Sequence, residues 1–85
     1  MPKITIYTTS FCPYCHRAKR LLEEKGAQFE EIDVTGDWSA RDALMEKAGG
    51  RTTVPQIWIG DTHVGGCDEL YALERAGKLD ALLAG

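Results

Sequence analysis

Apolar and polar positions alternate from the start of the chain, Ile4 and Ile6 against Thr5 and Tyr7, and this period of two predicts a short half-buried strand. Thr8, Thr9 and Ser10 then make a polar turn. Pro13 stands where a first helical position is expected, and Ala18, Leu21 and Leu22 follow at helical spacing until Gly26 can close the helix in a left-handed conformation. A helix from about Pro13 to Lys25 results. Phe29 leads into Ile32 and Val34, spaced by Glu31 and Asp33, and this second strand is reached across a helix long enough for a parallel crossover.

Farther along, Asp37 or Ser39 is placed to cap a second helix with Ala43, Leu44 and Ala48 inward, stopped by Gly49-Gly50. Val54-Pro55 opens the run Ile57, Trp58, Ile59, and Gly60-Asp61 is a two-residue hairpin signal leading into Thr62, His63 and Val64. After Gly65-Gly66, Asp68 can cap a last helix holding Leu70, Leu73 and, past Gly77, Leu79, Leu82 and Leu83. The expected order is β-α-β-α-β-β-α. With no internal repeat, linker or charge block, residues 1–85 read as one continuous α/β domain.

Length agrees: 85 residues leave no room for two cores, and 44% hydrophobic with 27% charged residues is the balance of a folding globular chain. A net charge of −3 has the wrong sign for a nucleic-acid footprint. Charged residues interrupt every apolar stretch well short of the roughly 20 residues a membrane span needs, so no membrane partner is expected. The strand pattern begins immediately after Met1-Pro2-Lys3 with no signal-peptide core, which makes a cytoplasmic location the simplest expectation. Three cysteines are too few for a disulfide framework, so Cys12 and Cys15 read as chemistry.

The densest signal is Cys12-Pro13-Tyr14-Cys15 between the first strand and the first helix. Three residues of helix rise roughly 4.5 Å on nearly one face, so the two sulfurs can close a small disulfide ring. Free N–H groups and the positive end of the helix dipole favour a thiolate, bringing a cysteine pKa from about 8.5 toward roughly 3.5 to 7.5. Cys12 is then the nucleophile, and Cys15, one turn inside, acts second on the mixed disulfide. Other readings are a structural disulfide, which a reducing cytosol would not maintain, and a zinc site, for which Cys67, His16 and His63 supply no second close pair. C-x-x-C-H haem attachment fits poorly between a strand and alternating segments without an export signal, and a chance pair of buried cysteines is the remaining alternative.

Cys12-Pro13-Tyr14-Cys15, Arg51-Thr52-Thr53-Val54-Pro55-Gln56-Ile57 and Gly65-Gly66-Cys67-Asp68, in that order and at these separations, resemble the glutaredoxins, specifically the short bacterial dithiol type. The resemblance covers nearly the whole chain. It implies a thioredoxin fold with a central four-stranded mixed sheet, glutathione as electron donor, no tightly bound cofactor and no metal. The implied activity is glutathione-dependent thiol-disulfide oxidoreduction of protein disulfides and glutathione mixed disulfides. It further implies a monomer whose partners are glutathione and disulfide-bearing or glutathionylated proteins, and it permits ribonucleotide reductase among them.

The resemblance also assigns the glutathione site. Val54-Pro55 matches the family's cis-proline position, where the Val54 backbone, beside Thr53, pairs with an extended substrate as an added strand. Gly66 allows close approach, and the amides of Cys67 and Asp68 at a helix N-terminus suit a carboxylate, while the Asp68 side chain suits an ammonium. A γ-glutamyl end carries both groups on one carbon. Tyr14 would flank the tripeptide and Arg51 would hold its glycyl carboxylate, against plainer roles as an exposed aromatic and a solvated charge. Cys67 reads as a small buried residue, His16 and His63 as surface residues, and Trp38 and Trp58 as packing residues. One departure from the pattern is Thr9, where many glutaredoxins carry a lysine before the first cysteine. Two alternatives stand beside this reading: a glutathione-independent redoxin reduced by a flavoprotein reductase, and a [2Fe–2S] protein that shares the cluster between two subunits.

Overall fold

The computed structural model describes residues 2–85. Its elements are β1 (Ile4–Thr8), α1 (Pro13–Glu24), β2 (Glu30–Asp33), α2 (Trp38–Lys47), β3 (Gln56–Ile59), β4 (Thr62–Gly65), α3 (Cys67–Arg75) and α4 (Leu79–Ala84). The four strands form one sheet in the order β2-β1-β3-β4. β1 runs parallel to β2, as a helical crossover requires, and antiparallel to β3, which pairs antiparallel with β4.

The pleat decides which layer each side chain joins. Ile4 and Ile6 of β1 join Ile57 and Ile59 of β3 on one face, covered by Ala18, Leu21 and Leu22 of α1, Leu70 of α3, and Leu79 and Leu83 of α4. Trp58 points to the other face, with Tyr7 beside it, where Val34, Leu44 and Ala48 close a smaller cluster under α2. The Cys12–Cys15 motif therefore sits at the start of the helix that is packed on the larger core.

Four details differ from the sequence expectations. The last helix is two: Ala76 caps α3, and Gly77 turns left-handed at φ 72°, so Gly77 N–H bonds Glu74 O at 3.0 Å and Lys78 N–H bonds Leu73 O at 2.9 Å. The chain bends there, which lets Leu79 and Leu83 return to the core. The cap of α3 is Gly66, and Asp68 lies inside the first turn. Ala43 faces out, and α2 buries Leu44. Trp38, at the first position of α2, is 77% exposed and lies outside the small cluster that Trp58 fills. Among the described residues no helix is long and apolar enough to cross a membrane.

Candidate active site

Cys12 is the N-cap of α1, with extended backbone, and its sulfur takes the place that a serine or aspartate oxygen usually fills: Cys15 N–H points at Cys12 Sγ from 3.1 Å. Pro13 follows at the first helical position, where no N–H is needed. The two cysteines are joined as a disulfide, with Cα atoms 5.2 Å apart. Cys15 is 1% exposed and Cys12 7%, whereas their neighbours Phe11 and Tyr14 stand out at 96% and 56%. Of the two sulfur-bearing residues, Cys12 is thus the more open to a reactant, beside two exposed rings.

Across from Cys12 lies the turn before β3. The Val54-Pro55 peptide is cis, and Val54 O is 3.7 Å from Cys12 Sγ. From this contact a shallow groove of about 290 Å³ runs away over the surface. Thr53, Val54 and Pro55, from the turn before β3, form one wall, and Gly66, Cys67 and Asp68, at the start of α3, the other; Tyr14 and Arg51 complete the lining, and Arg51 reaches across to the α3 side. All eight residues expected to hold a tripeptide line this one groove, although they come from three separate stretches of chain.

A ninth lining residue, Glu69, was absent from the sequence reading. Its Oε1 accepts Gly66 N–H at 2.7 Å and Arg51 Nη2 at 3.0 Å, tying the two walls together. The Gly66 N–H, and then Arg51, hold the Glu69 carboxyl below its ordinary range. The signal was available: Glu69 is the third residue of the helix that Gly66 caps, the position from which a glutamate reaches back to the cap amide. Gln56, which the motif pattern leaves without a role, has its side chain wholly buried behind Thr53.

Cys67 is buried, and burial pushes its thiol pKa up, so it stays a neutral thiol beside the groove. The Cys67 and Asp68 amides belong to the unbonded first turn of α3 and are donors without helical acceptors. The arrangement supplies, within one small surface, a sulfur pair that can cycle between dithiol and disulfide, the Thr53–Pro55 backbone, amide donors, the two carboxylates of Asp68 and Glu69, and one guanidinium.

The glutaredoxin family model matches residues 4–64. The chain is 66% identical over 84 residues to a glutaredoxin of Pseudomonas aeruginosa, covering 99% of each protein. It is 52% identical over 83 residues to glutaredoxin 3 of Escherichia coli K12, covering 98% of this chain and 99% of that one. The solution structure of glutaredoxin from Brucella melitensis superposes with a TM-score of 0.86 at 57% identity, over 98% of this chain and 89% of the other. A buckwheat glutaredoxin–glutathione complex superposes with a TM-score of 0.89 at 31% identity, over 98% and 77% of the two chains. The sheet order and flanking helices are those of the thioredoxin fold. With its cysteine pair, groove and relatives agreeing over essentially its full length, the chain belongs to the glutaredoxin family of glutathione-dependent thiol-disulfide oxidoreductases.

Proposed function

We propose that Cys12 is the nucleophile, Cys15 the resolving thiol, and the groove from Tyr14 to Asp68 the seat of glutathione. The observation that carries this reading is the convergence on one groove of eight of its nine lining residues, those expected to hold the tripeptide, together with the Cys12 sulfur beside Val54. A carboxylate of the γ-glutamyl end accepts the amides of Cys67 and Asp68, its ammonium faces the Asp68 side chain, and the glycyl carboxylate meets Arg51. The central cysteine lies along Val54, which brings its sulfur to Cys12. The buckwheat relative is known as a complex with glutathione, which supports the ligand class.

In the monothiol route Cys12 thiolate attacks the glutathione sulfur of a mixed disulfide. A Cys12–glutathione bond forms, the protein–glutathione bond breaks, and the substrate leaves as a thiolate. A second glutathione thiolate attacks the bound glutathione sulfur, releasing glutathione disulfide and regenerating Cys12. In the dithiol route Cys12 attacks a protein disulfide, Cys15 attacks the Cys12 sulfur of the mixed disulfide and expels the substrate's thiolate, and two glutathiones reduce the Cys12–Cys15 bond. The helix terminus stabilises the thiolate at each return.

Residues 1–85 act as a single domain and a monomer in this scheme. A reducing cytosol supplies the glutathione, and disulfide-forming enzymes such as ribonucleotide reductase are suitable substrates. The test is amide NMR of Cys15→Ser carrying glutathione on Cys12, against the free protein. Shifts concentrated on Thr53, Val54, Cys67 and Asp68 are expected. Shifts confined to the first turn of α1 would remove the groove assignment.

A further inference from the structure

The wall of the groove is fixed from behind by a polar chain through the sheet. Gln56 opens β3 with none of its surface exposed, and its Nε2 donates to Thr53 O at 2.9 Å and lies 3.3 Å from Thr53 Oγ1. Its Oε1 is 2.7 Å from Nε2 of His63 on the neighbouring strand β4. The direction of these bonds follows from chemistry. Thr53 O only accepts, so the Gln56 NH₂ must face it, the Gln56 oxygen must face His63, and His63 Nε2 must carry a hydrogen. The imidazole is itself held, stacked on Trp58 with ring centroids 4.4 Å apart, and Lys47 Nζ sits 4.4 Å from the Trp58 ring centre.

We propose that His63 is a positioning residue for the redox reaction, which, through Gln56, holds the Thr53–Val54 backbone in the place where the substrate strand pairs beside Cys12. The proposal rests on the reading of Thr53–Pro55 as a glutathione wall. His63 touches neither substrate nor sulfur in this scheme; it fixes the acceptor end of a carboxamide whose donor end fixes the wall. Buried Gln56 Oε1 would otherwise face the sheet interior with no donor, and the carboxamide would be free to rotate away from Thr53. The bond is available whether His63 is neutral or protonated, since Nε2–H is present in both forms. Burial, and then Arg51, lower its pKa, so the neutral Nε2–H tautomer is the resting form.

Three measurements test this on the full chain. Ring nitrogen NMR of the parent protein near neutral pH is expected to show His63 protonated at Nε2, and a neutral Nδ1–H tautomer would overturn the proposal without any variant. Next, kcat/KM for a glutathionylated peptide is compared with the alkylation rate of reduced Cys12 by iodoacetamide, a small probe that needs no wall. His63→Phe is expected to lower kcat/KM about fivefold or more with alkylation unchanged within about twofold, and His63→Gln, whose amide N–H reaches the same place, to restore most of the loss. An unchanged kcat/KM, or equal falls in both rates, would overturn it. Finally, glutathione on Cys12 of Cys15→Ser is expected to shift the Thr53 and Val54 amides. If it does not, the wall reading itself has failed and the proposal falls with it, an outcome distinct from a seated glutathione that is indifferent to His63.

Discussion

Cys12 Sγ and Val54 O, separated by 42 residues of sequence, lie 3.7 Å apart. A sulfur at a helix N-terminus is thereby set against the backbone carbonyl that precedes the cis proline, and that juxtaposition is what the two motifs achieve together. In the proposed scheme the helix supplies electrostatics for the thiolate, and the Val54 backbone supplies a track on which an extended substrate brings its own sulfur into line. Neither stretch would do this alone.

Thr9 precedes this helix at the position where many members of the family carry a lysine, so the thiolate of Cys12 lacks one nearby cation. Thr9→Lys is expected to lower the Cys12 pKa, because an ammonium close to a sulfur favours its ionised form. Thiolate absorbance at 240 nm, titrated in the reduced protein, reads this directly. An unchanged or higher midpoint would show that residue 9 does not act on Cys12.

Gly65 ends β4 beneath the groove at φ 109°, a conformation that side chains rarely adopt. A Cβ there would sit 2.6 Å from Glu69 Oε1 and 3.1 Å from Arg51 Nη1, inside the bridge between the two walls. Gly65→Ala is therefore expected to cost about 1–3 kcal/mol of stability and to raise KM for a glutathionylated peptide. Urea unfolding and steady-state kinetics measure the two effects, and a variant with parent stability and KM would contradict the close packing described.

Glu31 accepts the hydroxyl of buried Thr8 at 2.7 Å and the ammonium of Lys19 at 2.9 Å, joining β2, β1 and α1. These partners, Thr8 first, hold its carboxyl below the ordinary 4.5. A carboxyl depressed on folding contributes stability at every pH above its unfolded value and loses that contribution as pH falls through the folded one. The urea midpoint should thus drop between pH 5 and pH 3, and Glu31→Gln should lower the midpoint at pH 7 while flattening the drop. Parallel parent and variant curves would assign the acid sensitivity elsewhere.

Much of this was legible in the chain because the informative residues act locally. Pro13 after Cys12 marks a helix start, Gly26 a helix end and Gly60-Asp61 a hairpin, each through its own backbone preference. The groove residues were legible through the three motifs that carry the family resemblance. What escaped depends on tertiary placement. The bend at Gly77 left Leu73 and Leu79 with a continuous apolar period, so one helix and two looked alike. Trp38 has the apolar surface of a core residue, yet it stands outside the cluster under α2, which its own type and position in the chain do not reveal. Glu69, Gln56 and His63 acquire their roles across strands or between loops, and no pattern along the chain records that His63 meets Gln56.

The central claim is glutathione-linked catalysis through one nucleophile, and the most direct measurement is deglutathionylation of a peptide coupled to glutathione, glutathione reductase and NADPH. The parent and Cys15→Ser are expected to turn over, and Cys12→Ser to fall to background. Activity that survives in Cys12→Ser, or a parent that is inactive here yet reduced directly by a thioredoxin reductase, would contradict the account.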